Sequence, residues 1–443
     1  MKVSISDHFT YKKLIRFTLP TIIMMIFTSI YGVVDGIFVS NFAGKDAFAS
    51  VNLIYPAIMV LGAFGFMIGA GGSALVSKTL GEGNNKKANR YFSMLIYLEI
   101  IVGIVFSIIG YITIEPIAKL LGATDELLPY CILYGKVLFV GLTAFFLQST
   151  FQSFVIVADR PQMGLVISVA AGITNMVLDY ILVYIFKMGI FGAGLATIIS
   201  QFIGAIVPII YFSIENKSLL RFTKTSFELK PIIKTCTNGS SEMVTNISMS
   251  LVNMLYNFQL MKYAGADGVS AYGIIMYVGF IFVGVFLGYS FGSSPIISYN
   301  FGAKNKEELR EVFIKSIKIL GLSAIILTLL AEIFTKPLAG IFVSYDKELL
   351  SLTIRAIRIF SISYIISWLN IYASSFFTAL NDGVVSAILS FLRTLVFQVL
   401  SIYLLPIYFG LDGIWVALIV AEGLSLIVSL IFLVKNRKKY GYI

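Results

Sequence analysis

The chain has 443 residues, of which 58% are hydrophobic and only 13% charged, and its net charge is +10. A water-soluble protein of this length needs more charge to cover its surface, so the composition excludes a soluble globular domain and indicates a lipid bilayer as partner. The positive charge could suggest a nucleic-acid ligand. In a membrane protein, however, the informative property is how that charge is distributed among the loops, and we expect no nucleic-acid partner.

Twelve apolar runs recur along the chain, each long enough for a helix of about 20 residues to cross the hydrocarbon core. None shows the two-residue alternation of a transmembrane barrel strand. The sequence therefore predicts an all-α integral membrane protein with twelve transmembrane helices. The predicted spans are 14–40, 51–79, 91–113, 130–157, 164–186, 190–213, 236–263, 271–299, 312–335, 350–379, 384–408 and 411–434.

Basic residues are concentrated on one side of this predicted topology. With twelve spans, both termini lie on the same side, and the loops and helix ends there carry 23 of the 33 lysines and arginines, against six in the opposite loops. Because positive loops stay inside, the pattern predicts a multi-pass protein of the bacterial cytoplasmic membrane with both termini in the cytoplasm.

An internal repeat is the strongest pattern in the sequence. A shift of 221 residues aligns several segments and keeps the apolar spans in phase. The aligned pairs are FAGKDAF (42–48) with YAGADGV (263–269), SALVSKTLG (73–81) with SPIISYNFG (294–302), and GIFGAGLA (189–196) with GLDGIWVA (410–417).

The repeat predicts two pseudo-symmetric six-helix lobes. Each half has an even number of spans, so both insert in the same orientation, as a parallel repeat. We predict an N-terminal lobe at 1–213, a polar cytoplasmic linker at 214–235 and a C-terminal lobe at 236–443. Two such lobes around a central cavity can rock between inward-open and outward-open states.

Ionisable side chains within predicted spans are costly and therefore indicate function. Asp35, Asp179 and Thr197 lie about five to seven residues from the outer ends of spans 1, 5 and 6, at a similar depth of roughly 8–11 Å. Asn175 precedes Asp179 by one helical turn and points the same way. Their oxygens suit a sodium ion, and a close pair of carboxylates can instead carry a proton.

The two lobes differ at these positions. The repeat places Tyr256, Leu400 and Leu418 where the N-terminal lobe has Asp35, Asp179 and Thr197. A residue that only maintained the fold would be expected in both halves, so the asymmetry favours function. The competing interpretation is that Asp35 caps a kink while Asp179 extends to the surface.

Other ionisable residues also fall within spans. Arg393 and Glu422 are placed to form a buried pair, and their spacing leaves open whether that pair is structural or takes part in coupling. Glu99 is expected to face a neighbouring helix.

The repeat, the Asp35 helix and the segment NMVLDYILVY (175–184) together resemble the multidrug and toxic compound extrusion (MATE) family over nearly the whole chain. The closest likeness is to its bacterial branch of MepA-type and DNA-damage-inducible-type members. The resemblance implies a monomer that exports cationic or amphipathic drugs and toxins against inward sodium or proton movement. It carries the family's cation site over to Asp35, Asn175, Asp179 and Thr197, with Gln152 and Glu242 as possible additions. Span 10 departs from members with a C-terminal site, because it has no interior carboxylate.

The sequence thus predicts a cation-coupled multidrug antiporter, a secondary transporter without a cofactor. One alternative is a flippase for lipid-linked oligosaccharide or cell-wall precursors, which needs a more cationic cavity. Another is an intramembrane enzyme. His8 is the single histidine, so the chain has no internal histidine for a catalytic triad and no multi-histidine metal site.

Overall fold

The computed structural model describes residues 3–344 and 346–443, so the first two residues of the predicted N-terminal lobe lie outside it. Within the described residues all regular elements are helices. The first half contains α1 (Tyr11–Phe38), α2 (Lys45–Gly81), α3 (Asn85–Leu120), α4 (Leu128–Val157), α5 (Pro161–Leu178) and α6 (Gly189–Ser213). The second half contains α7 (Leu229–Gly302), α8 (Lys306–Ile333), α9 (Thr335–Val343), α10 (Lys347–Ser361), α11 (Tyr364–Ala379), α12 (Gly383–Phe391) and α13 (Phe397–Tyr440).

Two helices are broken by a glycine. The 74 residues of α7 would extend about 110 Å as one helix, far more than a bilayer. Gly265 interrupts α7 with φ 59° and ψ −149°, and Gly410 interrupts α13 with φ 56° and ψ −135°. Each break turns the chain back, so α7 and the combined segment Gly383–Tyr440 each supply two spans.

The described residues confirm the predicted twelve-helix architecture. Nine helical segments there are long and apolar enough to cross a membrane, and α10 with α11 forms a further span bent by 50°. The two glycine breaks raise these ten to twelve. Most helices extend beyond the predicted runs; α3, for example, covers Asn85–Leu120 where 91–113 was predicted.

The repeat is visible in the backbone as well as in the sequence. Positive φ angles recur at the 221-residue spacing, at Gly44 with Gly265 and at Gly189 with Gly410. Gly44 and Gly265 lie where the chain reverses after the first span of each half. Gly189 and Gly410 lie where it reverses before the last span of each half. Because a left-handed φ strains most L-residues, glycine occupies each position.

The two lobes share a core at one end only. We call the side of the bundle where α1 begins and α13 ends the terminal face, and the opposite side the far face. One continuous hydrophobic cluster near the terminal face includes residues of both lobes, such as Leu75 and Ile296. Towards the far face each lobe has its own core, around Ile54 and Phe139 in the first half and around Tyr272 and Trp415 in the second.

The linker is shorter than predicted and is held against α3. Helix α7 already begins at Leu229, so residues 229–235 of the predicted linker are helical. The Arg221 and Thr223 amides donate to the Asn89 Oδ1 and Ser93 Oγ atoms over 2.6 and 2.9 Å. Arg90 also forms a 2.9 Å ion pair with Glu228.

The segment before α1 connects the two lobes on the terminal face. The Ile5 amide donates to Asp159 Oδ1 in the first half over 2.8 Å, and the Phe9 amide donates to Glu308 Oε1 in the second half over 2.7 Å. Lys315 Nζ donates to the Phe9 carbonyl over 2.6 Å. We call residues 4–9 the N-terminal strap. Its apolar side chains, Ile5 and Phe9, are fully buried.

Candidate cation site

The candidate site lies where α1 crosses α5. Gly172 on α5 allows the close approach, because a Cβ there would be 2.6 Å from a ring carbon of Phe27 and 3.0 Å from one of Tyr31. Tyr31 precedes Asp35 by one turn, and Gly172 precedes Asn175 by about one turn. The packing of aromatic rings on Gly172 therefore places the next turns of the two helices, with Asp35 on one and Asn175 on the other, face to face.

The structure brings three of the predicted residues together. The Asp35 carboxyl lies close to the side chains of both Asp179 and Asn175. Asn175 is 1% exposed and Asp179 is fully buried. The interpretation in which Asp179 extends to the surface is therefore wrong.

The cluster contains more acceptors than donors. Asp35 Oδ1, Asn175 Oδ1 and both carboxylate oxygens of Asp179 have no hydrogen-bond donor among the described residues. Two ionised carboxylates in contact can only accept, so they repel each other unless a proton or a cation lies between them. A buried group of oxygen atoms in this condition suits a hard monovalent cation or a shared proton.

Both acidic residues stand next to π-helical turns. The π-helical segment Val39–Ala43 follows α1, and the segment Asp179–Ile185 follows α5. Asp35 and Asp179 lie six to eight helical residues from the far-face ends of these segments. At the rise of a helix this is a depth of roughly 9–12 Å, close to the predicted depth. Wide turns of this kind are frequent at functional sites, since they allow a helix to change its hydrogen bonding locally.

Three tyrosines that the sequence analysis did not consider surround the carboxylates. Tyr31, Tyr55 and Tyr134 all lie close enough to Asp35 for a direct electrostatic interaction. Tyr31 could have been found from its position one helical turn before Asp35. Tyr55 and Tyr134 come from α2 and α4, and no sequence spacing relates them to the site.

The hydrogen bonds of Thr197 among the described residues lie within its own helix. Its hydroxyl donates to the Ala193 carbonyl of its own helix over 3.0 Å, which leaves the oxygen lone pairs available. Helix α6 packs against α5 and against the π-helical segment that begins at Asp179. Its role as a ligand remains a prediction.

Gln152 and Glu242 lie elsewhere. Gln152 is five residues from the terminal-face end of α4 and lines a cavity of about 10 Å³ with Ser168. Glu242 lines another cavity of about 10 Å³ between the lobes, opposite Ser73 and Ser153. Each has room for about one water molecule. Neither side chain is in the half of the membrane that contains Asp35, so the structure does not join them to the cluster.

Two further membrane-buried carboxylates, Glu422 and Glu99, accept hydrogen bonds. Arg393 Nε donates to both carboxylate oxygens of Glu422, over 2.9 and 3.2 Å. Asn370 Nδ2 donates to Glu422 Oε2 over 2.7 Å, and Asn370 Oδ1 accepts from Ser429 over 2.8 Å. The predicted buried pair is therefore present. Glu99 faces a neighbouring helix as expected, accepting from Thr150 over 2.6 Å.

Two repeated lobes of six helices, with an acidic cluster buried in one of them, define a polytopic membrane protein of the parallel-repeat class. The MatE family model matches residues 20–181 and again residues 243–404. The chain belongs to the MatE family, which confirms the resemblance seen in the sequence. The two matches begin and end 223 residues apart, close to the repeat spacing of 221.

Relatives of known name cover almost the whole chain. It is 25% identical over 435 residues to the multidrug export protein MepA of Staphylococcus saprophyticus, covering 96% of this chain and 94% of that protein. It is 24% identical over 436 residues to MepA of Staphylococcus aureus, with the same coverage.

Solved structures show the same fold. An outward-facing multidrug resistance MATE transporter of the MOP superfamily superposes with a TM-score of 0.92 at 22% identity, over 98% of both chains. A MOP superfamily transporter from Pyrococcus furiosus gives a TM-score of 0.89 at 22% identity, over 98% of this chain and 97% of that one.

Proposed function

We propose that this protein is a cation-coupled antiporter that exports organic, often cationic, compounds by alternating access. The observation that carries the proposal is the proximity of half-buried Asp35 to buried Asp179 and Asn175, with acceptor oxygens that lack donors among the described residues. The family membership and the names of the MepA relatives support export of drugs or toxins as its biological role.

The cation would act by controlling how closely α1 approaches α5. When a proton or sodium ion lies between Asp35 and Asp179, the two carboxyl groups can stay in contact. When it leaves, their repulsion favours separation of the two helices. The π-helical turns beside both residues give the helices a place to rearrange.

The shape of the molecule supports entry of the cation from the far face. The lobes share a core near the terminal face and have separate cores towards the far face. With both termini cytoplasmic, as the basic loops predict, this arrangement corresponds to an outward-open state. The cluster would then be reached from outside, where sodium or protons would enter and displace the exported compound.

The test is transport in proteoliposomes under separately imposed pH and sodium gradients. Ethidium efflux should follow one of these gradients in the wild type and be lost in Asp35→Asn and in Asp179→Asn. Asp125→Asn is the matched control, because Asp125 is exposed in the loop between α3 and α4. Gradient-driven efflux at the wild-type rate in Asp35→Asn would defeat the proposal.

A further inference from the structure

A further cavity lies in the C-terminal lobe, in the opposite half of the chain from the acidic cluster. Its volume is about 160 Å³, and its walls come from both arms of α7, from α10 and α11, and from the last two spans. A cavity of roughly 150 Å³ holds a benzene molecule in a protein interior. The space therefore fits a single aromatic ring with a small substituent.

Two residues of this cavity are related by the repeat to predicted residues of the cation site. Tyr256 and Leu418 line it, and the 221-residue shift aligns them with Asp35 and Thr197. At these two positions the second half has apolar or aromatic side chains, and the cavity walls also include Met249, Met276 and Phe280. Such walls suit the faces of an aromatic ring.

The charged donor group that the cavity presents is a guanidinium. Arg393 and Glu422 both line it, but Glu422 is only 2% exposed and its two oxygens already accept from Arg393 and Asn370. The Arg393 side chain is 17% exposed and donates its Nε–H to Glu422. Since a guanidinium has five N–H donors, its terminal Nη groups remain available to a ligand in the cavity.

Three residues of the cavity wall also carry hydroxyl groups. The oxygens of Tyr256, Ser363 and Ser367 have no hydrogen-bond partner among the described residues, and all three residues are less than a tenth exposed. Buried hydroxyls without partners are uncommon in proteins. These oxygens have almost no accessible surface, so a ligand oxygen would meet them only after rotation of the side chains.

We infer that the C-terminal cavity binds a small aromatic carboxylate, with its ring between the methionine and aromatic side chains and its carboxylate on the Nη groups of Arg393. This site lies outside the proposed cation exchange and takes the opposite charge. A planar carboxylate matches a guanidinium through charge-assisted hydrogen bonds, whereas a neutral ring of the same size gains the apolar contacts alone.

Benzoate is the probe, and benzyl alcohol is its neutral control. Purified full-length protein in lipid nanodiscs, without any ion gradient, should bind radiolabelled benzoate saturably. Benzyl alcohol should compete at least about tenfold more weakly, since a hydrogen bond to a charged group contributes that much discrimination. Both tryptophans, Trp368 and Trp415, lie in this lobe, so their fluorescence gives a second measure of binding.

Two variants separate the charge from the cavity. The double substitution Arg393→Met with Glu422→Met removes both charges together and leaves neither one buried alone. It should lose the preference for benzoate over benzyl alcohol. Gly279→Leu should abolish binding of both probes by filling the space, whereas Gly279→Ala should retain it, since an added Cβ meets only Tyr364 Oη at 3.4 Å and a Phe360 carbon at 4.0 Å.

Equal affinity for benzoate and benzyl alcohol in the wild type would overturn the inference. So would unchanged benzoate binding in the folded double variant or in Gly279→Leu. Because binding is measured without a gradient, such a result would leave the proposed cation-coupled export intact. Loss of export in Asp35→Asn, conversely, is expected to leave benzoate binding unchanged.

Discussion

Gly81 and Gly302 lie 221 residues apart, which is the spacing of the internal repeat. Gly81 packs against the end of α7, which carries Gly302, and Gly302 packs against the end of α2, which carries Gly81. A Cβ on Gly81 would lie 2.0 Å from the Tyr299 carbonyl oxygen, and a Cβ on Gly302 would lie 2.0 Å from the Lys78 carbonyl oxygen. Lys78 and Tyr299 are themselves related by the same spacing. The pseudo-symmetry of the sequence is therefore also the symmetry of the contact that closes the terminal face.

Gly81→Val should open this contact. The added side chain meets backbone atoms, which cannot rotate away, so the packed state should lose about 1–3 kcal/mol or more relative to the separated one. Electron–electron distance measurements between spin labels at the exposed positions Lys86 and Arg310 should show a longer mean distance. The labels require that Cys131 and Cys236, both free, be replaced first.

The control for this experiment is Gly423→Val. Gly423 is also helical, but a Cβ there meets nothing within 4 Å. If Gly81→Val and Gly423→Val gave the same distance distribution, tight glycine packing would not be what holds the lobes together on this face.

Glu308→Ala should release the N-terminal strap from the C-terminal lobe. The Phe9 amide is buried and would lose its acceptor, at a cost of about 1–3 kcal/mol. Hydrogen exchange of residues 4–10 should become faster. Glu307→Ala removes the neighbouring, exposed carboxylate and should leave that exchange rate unchanged. Equal rates in the two variants would contradict the bridging role of the strap.

Arg393→Met alone and Glu422→Met alone should each lower stability by about 3–5 kcal/mol, because each leaves one charge buried without its partner. The double variant should be close to the wild type. Thermal unfolding in detergent, followed by size-exclusion chromatography, measures all three. Additive losses in the double variant would show that the two side chains act independently and that the pair is not a unit.

Thr197→Val tests whether α6 contributes to the cation site. The substitution keeps the shape of the side chain and removes the oxygen. If that oxygen is a ligand, the cation concentration for half-maximal efflux should rise about threefold to tenfold. Thr197→Ser keeps the oxygen and should behave as the wild type. Identical cation dependence in Thr197→Val would remove this residue from the site.

The sequence indicates the depth of the candidate site but not its complete membership. Asp35 and Asp179 are at similar distances from their helix ends, and this distance along the chain does not depend on how the helices pack. The direction in which each helix presents its side chain depends on packing, and here that packing is set by Gly172 against Phe27 and Tyr31. Gln152 and Glu242 were included by resemblance alone, and their distance from the terminal face could have separated them from Asp35.

The tyrosines of the site and the cavity of the C-terminal lobe could not be predicted from spacing. Tyr55 and Tyr134 lie near Asp35 on α2 and α4, where apolar residues are spread around the helix, so periodicity does not indicate which side points inward. The same holds for the cavity, where a space remains because side chains from several helices fail to meet. That volume is a property of their joint packing.

By itself the sequence determined that the chain lies in a membrane, how often it crosses, and that its two halves are copies. Hydropathy and duplication are properties of the linear chain, and the cost of exposing backbone and charge to lipid leaves only helical spans as a solution. The tertiary structure alone decided which buried acids meet, which are neutralised by a fixed guanidinium, and where the two halves close against each other. Those outcomes depend on side-chain contacts between helices distant in sequence, where a single Cβ can determine whether two backbones touch.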